Sequence, residues 1–287
     1  MDTKTECLTW TNEKLLSELI NKRISVEFNI RKNKPRYDGD IYSIEKSATW
    51  DEMFPAQIQN ALGRNESSFS YVLRHTFYTP RHLLTIINEL INDIDIRADS
   101  KKLKTIYLAY SSHEWSLVFQ KVIEEFTVKS EKVFQGMFSK VYIGFEELME
   151  SFQSRPNIWL REQLMSYIRE KNLFIEQRED GELIHSESLV YLLQRLGFLG
   201  LGTKRVTSVK APFSYSVRYS YLEKNPTRKP WDLAVITPLF YDSHNIRPVT
   251  NQPVIPHDGL PLSFQDFQKL SSYNHILNIF RACPHGR

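Results

Sequence analysis

Ser186-Glu187-Ser188-Leu189-Val190-Tyr191-Leu192-Leu193-Gln194-Arg195-Leu196-Gly197-Phe198-Leu199-Gly200-Leu201-Gly202 is the stretch on which the reading of the fold turns. Residues 186–196 predict a short helix capped by Ser186 or Ser188. The glycine-punctuated residues 197–202 end the helical part of the chain. Phe213-Ser214-Tyr215-Ser216-Val217-Arg218-Tyr219-Ser220-Tyr221 then alternates large and polar side chains, the pattern of a half-buried strand. Upstream, 145–149 and 156–168 predict two more short helices. Three short helices followed by a β-hairpin is the plan of a winged helix-turn-helix domain, here 136–246.

Toward the N-terminus the rhythm is helical. Thr11 is a candidate N-cap for a helix with Leu15, Leu16, Leu19 and Ile20 on one face. A second helix is expected from Thr49-Trp50-Asp51, with Met53 or Phe54, Ile58 and Leu62 inward. A third carries Phe69, Val72 and Leu73. Thr79-Pro80 places an N-cap and a proline at the first helical position of a fourth, whose stripe is Leu83, Leu84, Ile86, Ile87, Leu90 and Ile91. Residues 100–126 continue the period, and Gly136 is a candidate break. These segments make residues 1–135 one helical domain. Toward the C-terminus, Pro248, Pro253, Pro256 and Pro261 mark 247–262 as an extended linker. Residues 263–287 hold a last amphipathic helix with Phe264, Phe267, Leu270, Ile276, Leu277 and Phe280 on its apolar face. The expected fold class is therefore mainly α: a helical bundle, then a winged helix with a small hairpin.

Composition narrows the function classes. The chain of 287 residues has only 10 glycines, and their only cluster is Gly197, Gly200 and Gly202. No G-x-x-x-x-G-K-[ST] occurs, which excludes a self-contained P-loop nucleotidase. Two cysteines, Cys7 and Cys283, exclude a disulfide scaffold and a four-cysteine zinc site. The polar start lacks a signal-peptide core, and no apolar run has membrane-spanning length, so a cytoplasmic protein with no membrane partner is expected. The net charge is only +3, but its distribution is uneven. From Lys204 to Lys229 there are seven Lys or Arg against one acid, Glu223. The eight histidines are scattered, and no cofactor or metal site is expected.

Several phrases resemble the C-terminal half of bacterial P-loop ATPases of the AAA+/STAND kind, many of them associated with phage defence. They are Leu8-Thr9-Trp10 with Glu13, Leu15-Leu16 and Arg23-Ile24; Thr49-Trp50-Asp51-Glu52-Met53-Phe54; Tyr71-Val72-Leu73-Arg74-His75-Thr76; Thr79-Pro80-Arg81-His82-Leu83-Leu84; Leu196-Gly197-Phe198-Leu199-Gly200; and Val235-Ile236-Thr237-Pro238-Leu239-Phe240. The resemblance spans residues 8 to 242 and lacks the Walker motifs. It implies a lid-like domain over 1–135, then the winged helix. It also implies a non-catalytic part of an ATPase system whose core is supplied in cis or in trans.

Within that frame Arg81 is a candidate nucleotide sensor, since positioned arginines stabilise phosphoryl charge. Lys204, Arg205, Lys210 and Arg218, at the base and tip of the expected wing, together with Arg195, are candidates for contact with duplex DNA. The helix 186–196 carries little that reads bases, which favours a protein-protein adaptor as an alternative. A second alternative is enzymatic. Ile106 to Trp115 resembles the opening strand of TIR domains, implying NAD hydrolysis or signalling, with 105–109 a buried strand and Glu114 in the next loop.

Overall fold

The structure is a computed structural model that describes residues 13–32, 49–60, 63–93, 111–205, 213–223, 228–250, 253–256 and 259–281. For 27–32, 92–93 and 273–281 it describes the backbone alone. The chain forms two compact units, Met1–Phe126 and Thr127–Arg287.

The first unit holds helices α1 (Glu13–Lys32), α2 (Trp50–Met53), α3 (Ser68–Arg74) and α4 (Pro80–Asp93), the start of α5 (Ser112–Phe138), and a hairpin of β1 (Gln57–Gln59) and β2 (Asn65–Ser67). On α1, Leu16, Ile20 and Ile24 are buried while Leu15 faces solvent. Helix α4 starts at Pro80 and buries Leu83, Ile86, Ile87 and Leu90, as its period predicts. The second expected helix is cut to one turn. Phe54 precedes Pro55, whose ring disfavours the α region for its neighbour, and Phe54 is extended at φ −128° and ψ 154°. The chain then forms β1, so Ile58 reaches the core from a strand. Trp50 anchors the interior: its ring lies 4.5 Å from Phe54 and 5.2 Å from Phe69, and its Nε1 donates to Ser68 Oγ at 2.8 Å.

The second unit corrects the expected fold class. Among the described residues the helices are accompanied by ten strands in three sheets, in place of a helical bundle with one small hairpin. Gly136 lies inside α5 and breaks nothing. After it come β3 (Tyr142–Ile143), α6 (Phe145–Ser151), β4 (Ile158–Leu160), α7 (Arg161–Glu170), β5 (Phe174–Gln177), β6 (Leu183–His185) and α8 (Ser186–Leu196). They are followed by β7 (Leu199–Lys204), β8 (Phe213–Arg218), β9 (Leu233–Ile236), β10 (Leu260–Leu262) and α9 (Phe264–Arg281). The expected wing hairpin, β7 and β8, is no free wing. It lies inside a curled five-stranded half-barrel of order β10-β8-β7-β9-β4, antiparallel at every pairing. A separate three-stranded sheet has the order β3-β5-β6.

The partners of the hairpin escape sequence reading because they are short. β4 has three residues inside the stretch expected to be helical, β9 is the unalternating Leu233-Ala234-Val235-Ile236, and β10 carries Pro261. Proline is tolerated there because β10 is an edge strand.

The glycine cluster serves this sheet. Gly197 ends α8 at φ 88°, a left-handed conformation that a side chain disfavours. A Cβ on Gly200 would come within 2.5 Å of the Tyr219 ring and 2.7 Å of Val217 Cγ1, and one on Gly202 within 2.7 Å of Leu233 Cδ1. The proline-rich stretch is not a free linker either. Val249, Val254, Leu260 and Leu262 pack with Ile158, Tyr215, Leu233, Val235 and Leu270 of α9 in one apolar cluster. Asn157 fixes the crossing there. Its Oδ1 accepts from Val249 N at 2.8 Å and its Nδ2 donates to Tyr241 Oη at 3.0 Å. Of the expected face of the last helix, Leu270 is buried and Phe264 is 60% exposed. The side chains of Ile276, Leu277 and Phe280 lie outside the described residues.

Candidate nucleic-acid interface

Side chains alternate across a strand, so the expected basic cluster is divided between two faces of the half-barrel. Lys204 pairs in register with Tyr215 and shares its face with Phe213, two residues along β8. Lys204 is exposed, with Nζ 5.6 Å from the centroid of the Phe213 ring. Its own backbone N donates to Asp232 Oδ2 at 2.7 Å. Burial raises the Tyr215 hydroxyl's pKa, and the Asp232 carboxylate adds to the effect, so the phenol stays neutral.

Arg205 is exposed and turns the other way. Its backbone N donates to Ser214 O at 2.8 Å and its Nη2 to Ser216 Oγ at 3.3 Å. Ser216 pairs with Thr203, so it lies on the face opposite Lys204. Arg218 shares that second face but is withdrawn from solvent: its side chain is 14% exposed and its Nε lies 4.0 Å from Glu223 Oε1. Arg195 is exposed on α8. Lys210 lies outside the described residues. The structure therefore leaves Lys204, Arg205 and Arg195 exposed and Arg218 only partly so.

The Lys204 face continues onto α9. The rings of Phe213 and Phe267 stack at 4.2 Å and 1°, and Phe264 lies 6.4 Å from Phe213. Together with Gln265, Gln268 and Lys269 they line an open groove of about 820 Å³. Sequence reasoning placed Phe264 and Phe267 on the apolar face of an amphipathic helix. Phe264 directly follows Ser263, the capping residue whose Oγ accepts from Asp266 N at 3.1 Å, so it sits on the first turn of the helix.

The other candidates lie in the first unit. Arg81 is exposed in the first turn of α4. It adds to the burial that lowers the pKa of neighbouring His82. Residues 105–109, the expected TIR-like strand, lie outside the described residues. Glu114 caps α5: its Oε2 accepts from Ser111 N at 2.7 Å and from Ser111 Oγ at 2.8 Å, and these bonds hold its carboxyl below the usual range. Among the described residues no three His, Cys, Asp or Glu side chains group to hold a metal ion, and no helix is long and apolar enough to cross a membrane. No family model, curated protein or solved structure matches the chain.

Proposed function

We propose that this protein is a non-catalytic, nucleic-acid-contacting part of a larger system, with the ATPase core of the resembled proteins supplied in cis or in trans. The observation that carries the reading is Lys204, exposed at the end of β7 beside Phe213 within a segment that has an excess of six positive charges. Exposed lysines contact phosphates and release counterions, and such contacts position a protein without specifying sequence. Arg205 and Arg195 are further exposed cations of this unit.

The test is the salt dependence of binding to random DNA. For a duplex, log K falls with log[salt] at about −0.9 per phosphate contact, and Lys204→Ala with Arg205→Ala should reduce the slope by up to about 2 units. Arg218→Lys, at a withdrawn position, should leave the slope alone. Slopes that do not change in the double variant defeat the reading.

A partner-protein reading rests on a different observation. Ile143, Phe174 and Leu183 are 44%, 47% and 55% exposed. The register puts them on one face of the β3-β5-β6 sheet. An exposed apolar group of this kind is a common mark of protein interaction.

A further inference from the structure

The groove between β8 and α9 has the composition of a base-stacking site. Phe264 is 60% exposed on the first turn of a helix, beside a stacked pair formed by Phe213 and Phe267. Two ammonium groups border these rings: Lys204, 5.6 Å from the Phe213 centroid, and Lys269 in the groove lining. The one acid on this turn, Asp266, is engaged, its Oδ2 accepting from Ser263 Oγ at 2.6 Å and from Ser263 N at 3.2 Å. Gln265 and Gln268 add amide donors and acceptors, and Ser271 and Ser272 also line the groove.

An aromatic face open to solvent and flanked by cations matches a chain whose bases are unpaired and whose backbone is anionic. A duplex hides its base faces and would leave Phe264 without a partner, whereas an apolar peptide would leave the two lysines without one. We infer that this groove binds single-stranded nucleic acid, one base stacking on Phe264 while Lys204 and Lys269 contact the flanking phosphates. The inference rests on the nucleic-acid reading above and narrows it to unpaired strands.

Phe264→Ala removes a side chain that is mostly in solvent, so the fold should persist. The experiment measures fluorescence anisotropy of labelled oligo-dT and of a duplex of equal length, at several salt concentrations, with the full chain. The parent should prefer the single strand. Phe264→Ala should weaken oligo-dT binding about 5- to 150-fold, the range of one lost base-aromatic stack, and leave the salt slope intact. Lys204→Ala with Lys269→Ala should instead flatten the single-strand slope by up to about 1.4 units, at about 0.7 per contact. A Phe264→Trp variant should retain binding, which separates stacking from a general loss of structure. Equal binding by parent and Phe264→Ala, or a preference for duplex, overturns the stacking site and leaves the phosphate-contact reading standing. No binding to either nucleic acid at low salt removes both. Light scattering on the same samples tests one other occupant: a parent dimer that becomes monomeric in Phe264→Ala shows a second copy in the groove and also overturns the inference.

Discussion

In the first unit a carboxylate and a guanidinium meet in the interior, whereas the half-barrel of the second unit keeps its centre apolar and omits side chains altogether at Gly200 and Gly202. Glu66 and Arg74 are 8% and 6% exposed. Arg74 donates from Nε to Glu66 Oε2 at 3.1 Å and from Nη2 to Oε1 at 2.8 Å, and Asn60 Nδ2 adds a bond to Oε1 at 2.9 Å. This is a two-pronged pair, the geometry in which arginine holds a carboxylate best. In the half-barrel the specificity comes from shape, since Tyr219, Val217 and Leu233 occupy the space that two Cβ atoms would need. A buried ion pair tolerates no loss of one partner, and a close-packed sheet tolerates no gain of volume. The Glu66–Arg74 pair and the close-packed half-barrel therefore have opposite weak points.

The largest expected effect tests the first of these. Glu66→Ala strands the Arg74 charge inside the first unit and should cost about 3–5 kcal/mol. Chemical denaturation, with hydrogen exchange resolved by unit, should show the loss in 57–93. A change below about 1 kcal/mol would mean that water reaches Arg74 and that the pair is not a buried one.

Next in size is the glycine. Gly200→Ala should destabilise the half-barrel by about 1–3 kcal/mol, because the Tyr219 ring must move. Gly136→Ala is the matched control. It meets nothing within 4 Å and lies inside a helix, so it should be neutral or stabilise by about 0.5–1 kcal/mol. If both variants behaved alike, the close approach at Gly200 would be refuted.

The last contrast is one of pH, between His75 in the first unit and the Glu131 carboxyl in the second. His75 is next to Arg74, and its Nδ1 lies 2.7 Å from Tyr71 O. Burial, reinforced by the Arg74 charge, holds its pKa well below the usual 6.5, so the folded unit keeps it neutral. The unfolded chain takes up that proton below pH 6.5 and the folded chain does not. The contribution of this one group to the stability of the first unit is thus full above about pH 6.5 and falls as pH drops below it.

In the second unit His244 Nε2 lies 3.0 Å from Glu131 Oε1. Burial pushes the Glu131 carboxyl up, but hydrogen bonds with His244 and Ser243 outweigh it and leave the group below its usual 4.5. Glu131's contribution is therefore present above pH 4.5 and is lost only as pH falls below it. Between about pH 6.5 and 4.5, hydrogen exchange should show the first unit loosening ahead of the second. His75→Gln should flatten that dependence. A parent whose first unit has the same stability across this range contradicts the neutral, buried His75.

What was readable in advance follows from the range of the interactions. Helix α4 announces itself through Thr79, Pro80 and a continuous apolar stripe, and β8 through six alternating residues, because caps and periods are local. The candidate interface was half readable. The charge excess from Lys204 to Lys229 is plain in the sequence, and Lys204 and Arg205 are both exposed. Their separation onto opposite faces follows only once 199–204 is known to be a strand, and the withdrawal of Arg218 only once its ion pair with Glu223 is seen. Phe264 and Phe267 read alike, as two residues of one apolar helix face; only the groove beside Phe213 distinguishes the exposed ring from the stacked one.

The sequence by itself determined the helices with local caps, the stop at Gly197, the uneven charge and the lack of a phosphate-cradling loop, since each depends on residues within a few positions of one another. The tertiary structure alone decided that the expected wing is the interior of a sheet. Three of that sheet's strands come from 158–160, 233–236 and 260–262, segments too short to show a period, and they are brought together by hydrogen bonds and apolar contacts across long separations. It alone decided, too, that two scarce glycines serve packing: a missing Cβ has meaning only once Tyr219 and Leu233 are seen to fill its place.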